Sequence, residues 1–256
     1  LFNALVTQNF SNSVGDYELE EKARKESLKI ITTGRTSGNQ NIFNGWIKQF
    51  DFEKEDKEEK SAKRRTVEFA IEHPVIALEI GQFKSGTTNI TTNAVRFATN
   101  DLGLKENTVK EGSQVNAFRH TLWQATITKR YGLDIAIEVG NAHEENPNAL
   151  KKKYEPEDFK NMEFKTSAEA DEVCDLLNNI QGRLVGVETK SKKMNKIALD
   201  VLDKYYTDGL WISKITKNNT YKISKEKLSE KQYKEAKTRL KSLDSDGYTK
   251  EQRERK

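Results

Sequence analysis

The segment from Ser167 to Glu188 constrains the fold most strongly, because its pattern is that of one long amphipathic helix. Thr166 and Glu169 have the spacing of a capping box, in which two side chains close the start of a helix. Its apolar residues recur at helical spacing along one face: Val173, Leu176, Leu177, Ile180, Leu184 and Val187. An apolar face of this length must be buried, so the sequence predicts that other helices pack around this one.

Two shorter helices are predicted before it. Ser113 is suited to cap a helix that runs to about Tyr131, and Gly132 provides its end. The second helix follows directly and extends to about Glu145, before the Asn-Pro-Asn break at 146–148. These two helices and the long one carry most of the polar motifs in the chain.

The C-terminal part adds a helix, a hairpin and a charged helix. An amphipathic pattern covers Met194 to Tyr206, and two short β-like segments, 210–215 and 220–223, flank a Lys-Asn-Asn turn. A last charged helix begins at Ser229. We therefore predict a mainly α fold, a multi-helix domain with a minor β-hairpin near the C-terminus.

Composition along the chain predicts three regions. Residues 1–65 are expected to form a helical N-terminal extension or connector, which includes a Glu- and Lys-rich helix at Asp16–Ile31. Residues 66–192 form a helical core that carries the motifs, and residues 193–256 contain a helix, the hairpin and a basic C-terminal helix. A proline follows His73 and disfavours helix there, so His73 is predicted to lie at a helix boundary.

Overall composition excludes several classes of protein. No segment approaches the ~18 to 20 apolar residues that are needed to span a bilayer. The single cysteine, Cys174, excludes an internal disulfide framework, so the chain can be made and folded in a bacterial cytoplasm. The chain lacks an initial methionine and a signal peptide, as expected for a fragment of a longer polypeptide.

The charge distribution gives a weak indication of the target. The net charge of +4 does not by itself indicate a nucleic-acid ligand. From Trp211 onward, however, 14 basic residues stand against 7 acidic ones. This segment favours an anionic target, although a charge run is usually only a solvated face. It contains few aromatic residues, which argues against a specific reader of bases.

A polar stripe interrupts the helix that begins after Ser113. Asn116, His120 and Gln124 stand at i, i+4 and i+8, and Arg119 and Trp123 lie beside them. A polar stripe next to an apolar one can line a cleft, which makes these residues candidates for a functional site. The alternative interpretation is a histidine hydrogen-bonded at the edge of the core.

The second candidate cluster is the pair His143 and Glu144, at the end of the next helix. An imidazole next to a carboxylate can ligate a metal ion or act as an acid and base pair. The zincin pattern, in which two histidines at i and i+4 enclose a glutamate, is absent. The sequence therefore disfavours a metalloprotease of that type.

The third cluster lies on the long helix, opposite its apolar stripe. It consists of Asp171, Asp175, Asn178, Asn179, Gly182, Arg183 and Gly186. Asparagine and glycine inside an exposed helix each cost roughly 0.5 to 1 kcal/mol relative to alanine, so packing or function should compensate. The two glycines, four residues apart, would permit close contact with another helix. An ordinary solvated face is the alternative.

These clusters resemble the C-terminal domains attached to Rhs-type polymorphic toxins. The resemblance covers roughly residues 72 to 188, about half of the chain. Its motifs here are Asn89 to Ala98, Glu111 to Ser113, Asn116 to Trp123, Gly140 to Glu144 and Asp175 to Arg183. The resemblance implies a secreted effector of interbacterial competition, which is carried by a parent secretion-system polypeptide, translocated into a target cell and neutralised in the producer by a cognate immunity protein. It gives positions for a site without assigning a reaction.

The leading functional hypothesis is a hydrolase whose working groups converge from three helices on one pocket. The candidate catalytic groups, which are also candidate ligands of a divalent metal ion, are His120, His143, Glu144 and Asp175. Such an ion would activate a water molecule and stabilise charge on a phosphodiester, while Arg119 or Arg183 faces the developing negative charge. The candidate substrate-binding residues are Asn116, Trp123, Asn178 and Asn179. A phosphodiester in nucleic acid or in phospholipid fits this hypothesis.

Two alternatives stay open at this point. A cell-wall glycosidase would use Glu144 as general acid and Asp175 as its partner, with the carboxylates roughly 5 to 9.5 Å apart across a long groove. A non-enzymatic toxin would disrupt membranes or bind a target protein, and amphipathic helices can insert at a membrane interface.

Overall fold

The computed structural model describes residues 61–100, 102–104, 111–150, 159 and 162–255. In these residues the protein is mainly helical, with one two-stranded antiparallel hairpin near the C-terminus, and the predicted fold class is confirmed. The elements are α1 Ala62–Glu72, α2 Pro74–Ile80, α3 Ile90–Ala98, α4 Gln114–Tyr131, α5 Leu133–His143, α6 Ser167–Glu188, α7 Met194–Thr207, β1 Leu210–Ile215, β2 Tyr221–Glu226, α8 Glu230–Lys241 and α9 Lys250–Glu254. None of these helices is long and apolar enough to cross a bilayer. The helix predicted at Asp16–Ile31 lies outside the described residues.

Local signals set the ends of the helices as predicted. The Ser113 hydroxyl accepts a hydrogen bond from the Asn116 backbone N–H at 3.1 Å and starts α4, while Gly132, at φ 97°, ends it. Thr166 starts α6 with the predicted capping box. His73 lies between α1 and α2, at the helix boundary that the following proline imposes.

Helices α4 and α6 form the centre of the fold and run in the same direction. A Cβ at Gly182 would lie 2.4 Å from the carbonyl oxygen of Thr121, and a Cβ at Gly186 would lie 2.6 Å from that of Ala125. Only glycine permits this backbone approach, because a side chain would force the helices apart. The polar face of α6 is therefore buried against α4 and is not solvated.

Asn178 joins α6 to the hairpin and does not face the candidate site. Its Oδ1 accepts a hydrogen bond from the Trp211 backbone N–H at 2.9 Å, and its Nδ2 donates to the Trp211 carbonyl oxygen at 2.8 Å. The amide thus satisfies both backbone groups of a residue in β1. The predicted substrate-binding role of Asn178 is replaced by a structural one.

The predicted boundary at residue 193 does not separate two hydrophobic cores. The buried residues of α7, which include Ile197 and Leu202, belong to the same apolar cluster as Phe69 and Phe118. A smaller cluster packs α6 against the hairpin through Leu177, Trp211 and Ile223. The described part of residues 193–256 is thus built onto the core that carries the motifs.

Arg65, which lies on α1, caps the C-terminal end of α5 with hydrogen bonds. Its Nε donates to the Asn141 carbonyl oxygen at 3.0 Å, and its guanidinium also binds the carbonyl oxygens of Glu144 and Glu145. The Asn141 carbonyl belongs to the last turn of the helix and the other two follow it, so these carbonyls need partners from outside the helix. Arg65 therefore fixes the segment that holds His143 and Glu144.

Candidate functional site

His120 lies at the centre of the site, where α4, α5 and α6 meet. Its side chain is only 3% exposed. Nε2 lies 3.1 Å from Oδ2 of Asp175, and Nδ1 lies 3.3 Å from Oδ1 of Asn179 and 3.8 Å from Oε1 of Glu144. The structure thus brings three of the residues that were singled out in the sequence onto opposite edges of one imidazole ring.

The hydrogen bonds around His120 select one tautomer. The guanidinium of Arg119 contacts Nε2, and because arginine only donates, this nitrogen must accept. Nδ1 then carries the proton and donates to Oδ1 of Asn179, whose Nδ2 donates onward to Oε1 of Glu144 at 3.0 Å. Asn179 and Glu144 therefore orient the ring and leave a basic lone pair on Nε2.

Burial shifts the pKa values of His120 and Asp175 in opposite directions, each toward the neutral form of the group. The pKa of His120 lies well below its ordinary value, because burial and then the charges of Arg119 and His143 disfavour the imidazolium. The pKa of Asp175 is raised well above its ordinary value by burial and by the neighbouring carboxylates Asp171 and Glu144. At neutral pH His120 is therefore an unprotonated base.

Asn116 holds the two aspartates of α6. Its Nδ2 donates to Oδ1 of Asp171 at 3.0 Å and to Oδ1 of Asp175 at 2.9 Å. Asp171 also accepts a hydrogen bond from the backbone N–H of Gly112. Asn116, a predicted substrate-binding residue, thus positions the carboxyl group that contacts His120. Asp171, which was named in the third cluster of the sequence but assigned no role, belongs to the site as well.

Asp171 should make the protein less stable as the pH rises from about 4 to 6. Burial raises its pKa to about 6 in the folded protein, so between the unfolded and folded pKa values only the folded state holds the proton. The free energy of unfolding therefore falls across this window by up to about 3 kcal/mol, at about 1.36 kcal/mol per pKa unit. Denaturant titrations of the wild type and Asp171→Asn at pH 4 and 7 measure the effect. The variant should gain stability relative to the wild type at pH 7, and an equal difference at both pH values would contradict the assignment.

A large cavity opens beside this cluster. Its volume is about 590 Å³, and its lining residues are Thr66, Phe69, Ala70, Ala77, Ile80, Gly81, Gln82, Phe83, Thr91, Val95, Arg119, Trp123, Val139, Ala142 and His143. A second cavity of only about 20 Å³ shares five of these residues and also reaches His120. Arg119 and His143 border both spaces. The large cavity is thus adjacent to the buried imidazole.

His143 and Trp123 form the wall between the cavity and His120. The ring of His143 lies 6.0 Å from that of His120 and 5.3 Å from that of Trp123. Its Nδ1 is 3.6 Å from Oε1 of Glu144, and its side chain is 51% exposed. His143 is thus the accessible histidine of the pair, whereas Glu144 is buried.

Arg183 takes a different place from the one expected. It is buried, its Nη1 donates to Oε1 of Gln124 at 3.3 Å, and it lines neither of the two cavities next to His120. Burial lowers its pKa to about 10, and the charge of Glu144 opposes this shift. Arg183 therefore acts as a buried counter-charge to Glu144, and Arg119 is the arginine that reaches the cavity.

The four predicted metal ligands do not fit a shared ion. Within the described residues, no three of His120, His143, Glu144 and Asp175 place ligand atoms within 4.8 Å of one another. The arginine in contact with Nε2 of His120 also disfavours a cation there. The group of residues that meets the distance criterion is Glu72, His73 and Glu138, which lies outside the cluster.

The arrangement of carboxylates does not favour a glycosidase. Glu144 and Asp175 are both buried and contact opposite edges of the His120 ring. The imidazole therefore occupies the space between them, where an inverting or a retaining glycosidase would place the glycosidic bond.

Most residues of the large cavity were not expected from the sequence. They come from α1, α2, α3 and the segment after α2, and examples are Phe69, Phe83 and Thr91. In the sequence these residues read as ordinary core or loop positions. The lining residues that the sequence did single out are Arg119, Trp123 and His143. Trp123 adjoins the polar stripe, and its Nε1 donates to Oγ1 of Thr91 at 3.1 Å.

Comparison with known families places the core of the chain in one group. Residues 69–210, which contain every element from α2 to α7 and the whole polar cluster, match the family described as a domain of unknown function, DUF6973. The chain belongs to this family. No curated protein and no solved structure matches it. The matched segment of this chain contains the complete His120 cluster, and the description of the family assigns no reaction.

Proposed function

We propose that this protein is the toxin domain of a larger polypeptide and that it hydrolyses a phosphodiester-containing target. The observation that carries the hydrolase proposal is the neutral His120, whose Nε2 accepts a contact from Arg119 beside a cavity. A buried, oriented base next to a cation is suited to activate water against an anionic ester.

Arg119 supplies the binding group for the phosphate. Within the described part of the chain, its Nε is buried and has no hydrogen-bond partner, and its other guanidinium contact is to His120. A phosphate in the cavity would draw the guanidinium into a charge-assisted pair. That exchange would free Nε2 of His120 for a water molecule.

The reaction then needs two proton transfers, one from water to the protein and one from the protein to the leaving oxygen. Water gives a proton to Nε2 of His120 while its oxygen forms a bond to phosphorus. The bond between phosphorus and the leaving oxygen breaks, and this oxygen takes the same proton back from Nε2 of His120. Asp175, 3.1 Å from Nε2, offers a carboxyl oxygen that can accept a hydrogen bond from the transient imidazolium. The mechanism routes no step through a metal ion.

The toxin proposal is supported by the resemblance of the five sequence motifs between Asn89 and Arg183 to domains of Rhs-type polymorphic toxins. Such a domain would be made in the bacterial cytoplasm, delivered into a target cell and blocked in the producer by an immunity protein. The excess of basic residues after Trp211 provides a surface for an acidic partner, since opposite potentials accelerate association.

Expression of the chain inside a susceptible bacterium should stop growth, and a small partner encoded beside it should restore growth. We expect His120→Gln to be harmless at equal protein level, because it removes the base. His73→Gln is the matched control outside the site and should remain toxic. Growth curves after induction, with the protein held in the cytoplasm or directed to the periplasm, measure the effect. Normal growth in both compartments would contradict the toxin proposal.

A further inference from the structure

We infer that the target is a membrane phospholipid, whose acyl chain fills the 590 Å³ cavity while its phosphodiester meets Arg119 and His120. This inference rests on the proposed hydrolase function and narrows it. It selects a lipid rather than a nucleic acid as the target, a choice that the polar cluster alone does not support.

The lining of the cavity is suited to a hydrocarbon. Nine of its fifteen residues are apolar or aromatic: Phe69, Ala70, Ala77, Ile80, Phe83, Val95, Trp123, Val139 and Ala142. The hydroxyl of Thr66 donates to the carbonyl oxygens of Ala62 and Ala142, and that of Thr91 accepts from Trp123. These two threonines are therefore already hydrogen-bonded within the protein. A nucleotide base would need polar groups for its edges and would find few here.

The charged groups stand at one end of this apolar space. Arg119 and His143 are the ionisable residues among its lining, and both also border the small cavity at His120. An occupant with an apolar tail and an anionic head therefore has its head group placed at the imidazole. This polarity matches a phospholipid, and the volume lies in the usual range of ~300 to 1,000 Å³ for small-molecule sites.

The surface of α1, α2 and the residues that follow them exposes several large apolar side chains. Five large hydrophobic side chains are exposed within the described residues, and four of them fall between residues 67 and 83: Val67, Ile71, Leu78 and Phe83. Phe83, which is 59% exposed, lines the cavity itself. Contact with a membrane interface would cover such side chains and bring a lipid to the cavity.

Hydrolysis assays on three substrates test the inference. They are vesicles of phosphatidylethanolamine and phosphatidylglycerol, a single-stranded oligonucleotide, and the soluble phosphodiester bis(4-nitrophenyl) phosphate. We expect the full chain to cleave the vesicle lipids, with products followed by phosphorus NMR. Phe83→Asp should lower this rate at least tenfold, a much larger loss than on the soluble phosphodiester, which has no acyl chain to place in the cavity. Ile215→Asp is the matched control, because Ile215 is 62% exposed but lies on the hairpin.

Ala70→Trp, which fills the cavity, serves as a second variant with an expected loss of similar size on vesicles. Cleavage of the oligonucleotide or of the soluble substrate without cleavage of lipid would overturn the inference and leave the hydrolase intact. Equal vesicle rates for the wild type, Phe83→Asp and Ala70→Trp would also overturn it, and would indicate that another segment of the chain covers the cavity. Failure on all three substrates would remove the hydrolase proposal as well.

Discussion

Replacing His120 with glutamine should lower the rate of hydrolysis by about 10² to 10⁴-fold, the usual contribution of a general base. The glutamine amide can still donate to Oδ1 of Asn179, but it cannot take a proton from water. Because the imidazole is held for chemistry in a polar cluster, its removal should change the melting temperature little. Steady-state rates, with circular dichroism melts of the same samples, measure the two effects separately.

His73→Gln is the control for this variant, since His73 pairs with Glu138 away from the cluster. The His73→Gln variant should have the same rate of hydrolysis and the same melting temperature as the wild type. If His120→Gln lost activity only in proportion to its folded fraction, His120 would be a structural residue. Full activity in the variant would exclude His120 as the base.

The largest loss of stability is expected from Gly182→Ala. The added Cβ would lie 2.4 Å from the Thr121 carbonyl oxygen and 2.7 Å from Cβ of Gln124, so α4 and α6 must move apart. Overpacking of this kind typically costs about 1 to 3 kcal/mol. At about 2 to 4 °C per kcal/mol for a domain of this size, the melting temperature should fall by several degrees.

The same change should reduce activity, because separation of the two helices moves Asp175 and Asn179 away from His120. Glu188→Ala, at the exposed end of α6, is the control and should stay within about 0.5 kcal/mol of the wild type. Thermal and denaturant unfolding measure the difference. A Gly182→Ala variant as stable as this control would show that the two backbones do not need to be so close.

The helices and the hairpin were predictable because their signals are local. Ser113, Gly132 and Thr166 act within one turn of their own helix, and each has the predicted role. The two glycines on the polar face of α6 also indicated a close helix contact, and they form one with α4. Sequence did not decide whether that face was solvated, because this depends on a partner helix about 55 residues away in the chain.

The candidate site was predictable only in part. His120, Glu144, Asp175 and Asn179 meet because the parallel packing of α4 and α6 aligns their polar faces. The apolar cavity was not predictable, since its residues come from five separated segments and most of them read as ordinary core or loop positions. The structural role of Asn178, which binds the backbone of Trp211, depends on tertiary contacts in the same way. Nothing in the sequence pattern indicates this role.

The shared direction of α4 and α6 has an electrostatic consequence. Two parallel helices place both amino-terminal ends on the same side, so the positive ends of their dipoles reinforce one another there. Asp171 lies near this end, where Gly112 and Asn116 donate hydrogen bonds to it. The combined field favours a negative charge at Asp171 and so offsets part of the cost of burying its carboxylate. An antiparallel pair of the same helices would place a negative end there and would make that carboxylate harder to bury.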